Sequence, residues 1–282
     1  MELFDHEHMQ IRNLMPGINE NARRRRRIVR LSVFAGVLAL AMAALGRVSA
    51  VDWRTASHEP VGIAPDAALT PDAIVQVYSA RAFGWRGWFG VHTWIAVKPE
   101  NAQAYTVYEV IGWKLRAADT AVAVHQRAPD ARWYGSEPEL IADRRGPEAS
   151  LLIPRIDAAA RAYPWASEYT MWPGPNSNTF TAWVARAVPE LGVDLPPTAI
   201  GKDYSGSRMV GSAPSGRGLQ LSLFGLAALT ASGVEGLEVN LLGLTFGIQP
   251  LDPAIKLPII GRIGASRGMD APATTIPNEP TR

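Results

Sequence analysis

A chain of 282 residues with 47% hydrophobic and 19% charged residues is long enough for a globular domain with a buried core. The first 50 residues hold eight arginines and four acidic residues, which leaves 20 basic and 22 acidic residues in the remainder and argues against a nucleic-acid-binding body. The absence of cysteine excludes disulfides and thiol nucleophiles, and the five histidines have no metal-ligand spacing, so neither a metal nor a cofactor is predicted.

The N-terminal region has the pattern of a membrane-targeting segment. Five arginines at 23–27 precede an uncharged run at 31–46, and Val48-Ser49-Ala50 resembles a cleavage site. The run is short for a membrane-spanning helix and long for the core of a signal peptide. Three alternatives stay open: an uncleaved anchor over 28–50, a signal cleaved near Ala50, and a buried core helix. With an anchor or a signal, the positive-inside rule keeps the basic tail at 1–27 in the cytoplasm and predicts export of the body.

The exported part divides into a linker, a globular domain and a tail. Residues 51–72 are polar and rich in proline and alanine, as is typical of a tether. The globular domain is predicted over 73–261, and residues 262–282 are predicted to be disordered.

Strand patterns open the globular domain. Residues 73–81, 91–99 and 104–113 are rich in β-branched and aromatic residues, and the last two are separated by a short turn. Their close succession predicts an antiparallel sheet, with residues 121–126 as a candidate fourth strand.

Helical patterns follow. The segments "PELIADRRG" and "GPEASLLIPRIDAAARAY" are predicted to be helical because Pro138 and Pro147 stand near their starts. The segment "NSNTFTAWVARAVPE" predicts an amphipathic helix, since four apolar residues recur at helical spacing, namely Phe180, Trp183, Val184 and Ala187.

A long apolar segment at 218–248 contains many glycines. It is interpreted as a β-hairpin with its turn near 231–236, because glycine disfavours a helix. Its apolar character on both sides, above all in "VNLLGL", predicts burial on both faces or contact with a bilayer.

The stretch "MWPGPNSNTFTAW" places Ser177 at a helix start behind a rigid loop. Exposed N–H groups there could stabilise an oxyanion or an activated hydroxyl, with Asn176 or Asn178 as oxyanion donors. Alternatively, Asn176 or Ser177 only caps the helix.

His92 supplies a candidate base. It lies within a predicted strand, where a titratable ring is costly to bury without a partner. By alternation it shares a face with Trp94 and Ala96, and Glu109 on the next strand is the nearest acid. Ser177, His92 and Glu109 therefore form a candidate catalytic triad, with a purely structural His92–Glu109 pair as the alternative.

Four strings, "AFGWRGWFGVHTWIAVKP", "YTVYEVIGW", "WPGPNSNTF" and "GLEVNLLGL", resemble a bacterial envelope family known as domain of unknown function 3750, from about 52 to about 264. The resemblance implies no activity. The order of elements is also similar, more distantly, to circularly permuted NlpC-type papain-like hydrolases and acyltransferases. That resemblance implies His92 as the base, Glu109 as its orienter and Ser177 in the place of a cysteine.

The fold class predicted is α+β, an antiparallel sheet packed on helices that resembles a permuted papain-like domain, behind one N-terminal transmembrane or signal helix. Three functions stay open: a non-catalytic envelope-binding protein, a serine-variant hydrolase or acyltransferase acting on envelope peptide or lipid, and a membrane-associated structural or assembly protein. The predicted partners are the bacterial inner membrane and an envelope peptide, glycan or lipid, with the body in the periplasm.

Overall fold

The computed structural model describes residues 23–33, 35–36 and 52–264. Residues 23–33 and 35–36 are helical and belong to a unit separate from the one that begins at Trp53. Among the described residues, none of the helices combines the length and the apolar character that crossing a membrane requires. Most of the predicted anchor, the proposed cleavage site and residues 265–282 lie outside the described residues.

The first sheet has five antiparallel strands in the order β4-β3-β2-β1-β5. They are β1 (Ile74–Arg81), β2 (Val91–Lys98), β3 (Thr106–Val110), β4 (Val122–Gln126) and β5 (Glu139–Arg145). The three strands predicted from their β-branched residues are confirmed, and so is the candidate fourth strand.

The helix predicted for "PELIADRRG" is wrong, because this segment is strand β5. It pairs antiparallel with β1, from Ile74↔Arg145 to Ser79↔Glu139. The open edge of β1 offers a complete row of backbone partners, and this tertiary pairing outweighs the local pattern. The third predicted strand also ends earlier than expected, because Gly112–Arg116 forms a 3₁₀ helix.

Two α-helices pack on one face of this sheet. Helix α1 covers Gly146–Arg161 and helix α2 covers Ser177–Ala187, as predicted. Both contribute to a core with the inward residues of β1, β2 and β3. On α2, Phe180 and Val184 are buried while Ala187 is exposed, because the sheet and α1 cover a different part of the helix from the one predicted.

The second sheet is a seven-stranded antiparallel meander in the order β12 to β6. The predicted hairpin is confirmed as β8 and β9, and it is extended on both sides. The strands are β6 (Val210–Gly211), β7 (Leu219–Leu223), β8 (Ala227–Ser232), β9 (Gly236–Leu241), β10 (Leu244–Gln249), β11 (Ala254–Leu257) and β12 (Gly261–Gly264).

This meander reverses the usual arrangement of polar and apolar side chains, so the expected burial of "VNLLGL" on both faces is wrong. Along β9 the burial alternates, and Leu237, Val239 and Leu241 are exposed while Glu238 and Asn240 are buried. We call the exposed side of the sheet the outer face. Its exposed large apolar residues are Val210, Leu219, Leu221, Leu223, Leu229, Leu237, Val239, Leu241, Leu244, Phe246, Ile248, Ile255 and Ile263.

The buried side of the meander carries a charged cluster that joins it to the rest of the domain. The ammonium group of Lys202 lies 2.5 Å from Glu238 Oε2, and that of Lys256 lies 2.7 Å from Glu238 Oε1. Lys256 also lies 2.5 Å from Asp194 Oδ1. Glu238 and Lys256 can face inward because each of them has a buried partner of opposite charge.

Candidate functional site

A cleft of about 990 Å³ lies where the start of α2 meets the ends of β2 and β3. His92, Ser177, Asn176 and Asn178 all line it, as do Arg86 and Arg116, and no acidic side chain lines it in the part of the chain that is described. Nine of its lining side chains are aromatic, namely Trp53, Phe83, Trp85, Phe89, Trp113, Trp133, Tyr134, Tyr169 and Trp172.

Asn176, and not Ser177, caps helix α2. The side chain of Asn176 accepts hydrogen bonds from the backbone N–H groups of Asn178 and Thr179, and Thr179 Oγ1 accepts one from the N–H of Asn176. This capping box satisfies the first-turn donors that Ser177 would otherwise serve. Of the two capping alternatives, the one that assigns the cap to Ser177 is therefore wrong.

Ser177 is held in place through its backbone carbonyl. Its carbonyl accepts hydrogen bonds from Thr93 Oγ1 at 3.4 Å and from Thr181 Oγ1 at 3.2 Å. Within the described residues, neither the hydroxyl nor the backbone N–H of Ser177 makes a hydrogen bond. Ser177 thus presents a free hydroxyl and a free N–H at the positive end of α2.

His92 is oriented by Glu109. Its Nε2 lies 2.7 Å from Glu109 Oε2, and its ring stacks on Trp133 with 3.6 Å between the centroids. An ionised carboxylate only accepts, so this bond assigns the hydrogen to Nε2 and leaves Nδ1 as the basic nitrogen of the neutral ring. Nδ1 has no hydrogen-bond partner among the residues that the structure covers.

Glu109 is the centre of a buried network. Burial alone would raise its pKa, but hydrogen bonds from His125 and His92 and the charge of Arg127 hold that pKa well below its ordinary value of 4.5. His125 Nε2 lies 2.8 Å from Oε1, and Arg127 Nε lies 3.3 Å from the same oxygen. Glu109 is therefore ionised at neutral pH.

The structure brings the three predicted residues together only in part. His92 and Glu109 are bonded, and His92 and Ser177 line one cleft, but the hydrogen bonds found among the described residues do not include one between them. Both amide hydrogens of Asn178 go to the carbonyls of Val91 and Ile200. Those of Asn176 go to the carbonyls of Met171 and Ile200. In this arrangement the free N–H beside the hydroxyl is that of Ser177 itself.

Three residues of the site were not predicted from the sequence, namely His125, Arg127 and Trp133. The signal for His125 lies in the register of β3 and β4, where Glu109 pairs with Ala123 and so shares a face with His125 two residues on. Trp133 lies in a loop, and its stacking on His92 has no periodic pattern in the sequence.

The free energy of unfolding is expected to fall as the pH drops below about 6.5. Burial lowers the pKa of His92 from its ordinary 6.5, against the opposing hydrogen bond and charge of Glu109. Between the lowered pKa of His92 in the folded protein and its ordinary value in the unfolded chain, the unfolded chain binds the proton better. The free energy of unfolding therefore rises with pH in that window. Glu109, with its depressed pKa, loses its contribution only in stronger acid.

Urea unfolding of the parent and of His92→Gln at pH 7.5 and 5.5 measures this effect. The loss on acidification should be smaller in the variant. An equal loss in both proteins would show that His92 does not lie buried and neutral.

A family model described as Protein of unknown function (DUF3750) matches residues 72–204, which span the first sheet, both helices and the cleft residues from His92 to Asn178. The match ends before the second sheet, so the string "GLEVNLLGL" lies outside it. No curated protein and no solved structure matches the chain. No group of three or more potential metal-binding side chains occurs in the described part of the domain.

Proposed function

Because residues 72–204 belong to the DUF3750 family, whose function is unknown, we propose from the cleft itself that the protein is a serine hydrolase or acyltransferase. Ser177 is the nucleophile, His92 the general base and Glu109 the residue that orients His92. The observation that carries this proposal is the 2.7 Å bond from His92 to an ionised Glu109, beside an unbonded serine hydroxyl in the same cleft.

The proposed reaction uses the atoms of Ser177 and His92 that make no hydrogen bond among the described residues. Ser177 Oγ forms a bond to a substrate carbonyl carbon while its proton passes to Nδ1 of His92. The N–H of Ser177, at the positive end of α2, donates to the resulting oxyanion. The bond to the leaving alcohol or amine then breaks and His92 returns the proton to it. Water or an acceptor alcohol repeats these steps and releases the acyl group.

The wall of the cleft favours a particular substrate class. Nine aromatic side chains supply an apolar surface, while Arg86 and Arg116 supply positive charge without an acidic neighbour in the lining. This combination suits an acyl compound with an apolar chain and an anionic group. Among the predicted envelope ligands, it favours a lipid over a peptide or a glycan.

The relation to permuted papain-like enzymes is part of the proposal. It is supported by the chain order, in which a histidine on one strand and an acid on the next precede a nucleophile at a helix start. A serine in that place needs a base that is free to accept its proton, and burial keeps His92 unprotonated at neutral pH. An inner-membrane anchor with the domain in the periplasm is likewise proposed, on the arginine run and the uncharged segment that follows it.

One observation favours a second candidate, an envelope-binding protein without turnover. The hydrogen bonds among the described residues do not join Ser177 Oγ to His92, and a site that only binds a ligand does not require that contact. In catalytic sites this bond is often long without substrate and tightens only when substrate binds.

Covalent labelling tests the proposal. A fluorophosphonate with a long alkyl chain should phosphonylate Ser177 in the full chain, as located by peptide mass spectrometry. Ser177→Ala should abolish labelling, and His92→Gln should slow it by about 10²-fold or more, because the base is lost. Thermal unfolding would show that both variants remain folded.

Ser207→Ala is the matched control, since Ser207 is exposed and does not line the cleft. It should label at the parental rate. Absence of labelling in the parent, together with saturable binding of a non-reactive long-chain phosphonate, would favour the second candidate. Labelling that persists in Ser177→Ala would contradict the assignment of the nucleophile.

A further inference from the structure

The outer face of the second sheet is apolar across all seven strands. Antiparallel sheets with one solvated face carry polar residues there, whereas here the alternation is reversed and Gln220, Glu238 and Lys256 are buried instead. Exposed apolar patches on monomeric proteins rarely exceed a few hundred Å² without a role. The seven strands are spaced about 4.8 Å apart, and four of them are five or six residues long while the other three have two to four, so the sheet covers roughly 500 Å². The outer face therefore has the character of an interaction surface.

The hairpin tips at one end of this sheet extend the apolar surface. Phe224, Leu242 and Ile259 have φ values of 51°, 54° and 69°, a region that turns normally fill with asparagine or glycine. All three side chains are exposed. Bulky residues in this conformation cost backbone energy, so their presence indicates that large apolar side chains are required at these tips.

The same end of the sheet adjoins the cleft. Trp172, which lines the cleft, donates from Nε1 to the carbonyl of Leu242 at 2.9 Å. Arg81 donates to the carbonyl of Ile259 at 3.0 Å. Together with Arg86 and Arg116 of the cleft, Arg81 gives this end a positive charge beside its exposed apolar and aromatic groups. Arginine and tryptophan next to an apolar surface are typical of the interface between a membrane and water.

The shape of the outer face distinguishes a lipid from a second copy of the chain. A hollow of about 650 Å³ lies between residues such as Leu221, Leu229, Leu237 and Phe246. Two copies that meet through this face would enclose two facing hollows, and such voids forfeit packing energy. Fluid acyl chains can fill the hollow.

We propose that the outer face and the tips at Phe224, Leu242 and Ile259 dock on an anionic lipid bilayer, with the mouth of the cleft at the bilayer surface. This inference does not depend on turnover in the cleft. It would hold equally for a lipid-binding protein.

Site-directed labelling of the full chain tests the proposal. Because the chain has no cysteine, Leu229→Cys on the face and Leu242→Cys at a tip can each be labelled with bimane. The labelled chains are reconstituted into vesicles of phosphatidylcholine and phosphatidylglycerol. We expect the emission of both labels to shift to the blue, iodide quenching to be largely lost, and nitroxide-bearing lipids to quench both labels.

Glu148→Cys is the control, because Glu148 is an exposed residue of α1, which packs on the first sheet. Its label should stay accessible to iodide in the same vesicles, even if the N-terminal segment inserts. Labels at 229 and 242 that remain accessible to iodide in vesicles would overturn the proposal. So would a blue shift that occurs without lipid and grows with protein concentration, which would indicate a second copy on this face.

Discussion

Replacing Glu238 with alanine is expected to lower the free energy of unfolding of the domain by about 3–5 kcal/mol. Glu238 is buried between the ammonium groups of Lys202 and Lys256, at 2.5 and 2.7 Å. Burial would raise its pKa, but these two lysines hold that pKa below its ordinary value. Without the carboxylate, the ammonium groups of Lys202 and Lys256 lose the buried acid that they share. Asp194 then remains as the acid bonded to Lys256.

Urea unfolding of the parent and the variant at neutral pH measures this loss. Glu137→Ala is the control, because Glu137 forms an exposed ion pair with Arg132 and should change stability by less than about 1 kcal/mol. A loss as small as this in Glu238→Ala would mean that the cluster does not hold the second sheet to the rest of the domain.

The second sheet illustrates how much of the fold a sequence can predict. The strings "LQLSL" and "LEVNL" alternate with a period of two, so strands and a hairpin were predictable. The direction of the alternation was not, because the usual assumption places leucines inside. Here Gln220 and Asn240 turn inward, since their amides donate to the buried carboxylate of Asp203. These partners are distant in sequence, and no local pattern reveals them.

In the first sheet, β1 and β2 could be predicted from their composition, but β5 could not. Strands β1 and β2 are rich in β-branched and aromatic residues, and this composition was enough to predict them as strands. Strand β5 carries charged residues at 143–145 behind a proline, and only its pairing with β1 makes it a strand. Pairing with a distant edge is a tertiary effect that propensity does not contain.

Part of the candidate site could likewise be predicted from the sequence, and part could not. The His92–Glu109 contact was predictable, because two neighbouring strands and their alternation place both side chains on one face. The contribution of His125 required the register of β4, which was only a candidate strand. The use of the amides of Asn176 and Asn178 depends on the carbonyl of Ile200, which comes from a distant loop.

Replacing Ser177 with cysteine is expected to produce a thiol with a pKa well below the ordinary value of about 8.5. A thiol at this position would have the free N–H at the start of α2 on one side and share the cleft with His92. Both favour the thiolate, as at reactive cysteines beside a histidine or a helix start. A pKa lowered by about two units would leave roughly a quarter of the thiol ionised at pH 6.

Two comparisons isolate the effect of the site. Ser207→Cys places the thiol at an exposed position outside the cleft, where less than about 1% should be ionised at pH 6. Adding His92→Gln to Ser177→Cys removes the histidine and should return the pKa most of the way to that of an ordinary thiol. Since the chain has no other cysteine, each signal belongs to one residue.

Iodoacetamide alkylation tests most directly whether this cleft activates a nucleophile at residue 177. The rate for Ser177→Cys is measured between pH 5 and 9.5, and each rate is divided by the rate of the same protein at pH 9.5. The ratio cancels differences in accessibility. We predict an inflection below about pH 7.5 that depends on His92. An inflection at about 8.5 or above, unchanged by His92→Gln, would contradict the assignment of a catalytic site.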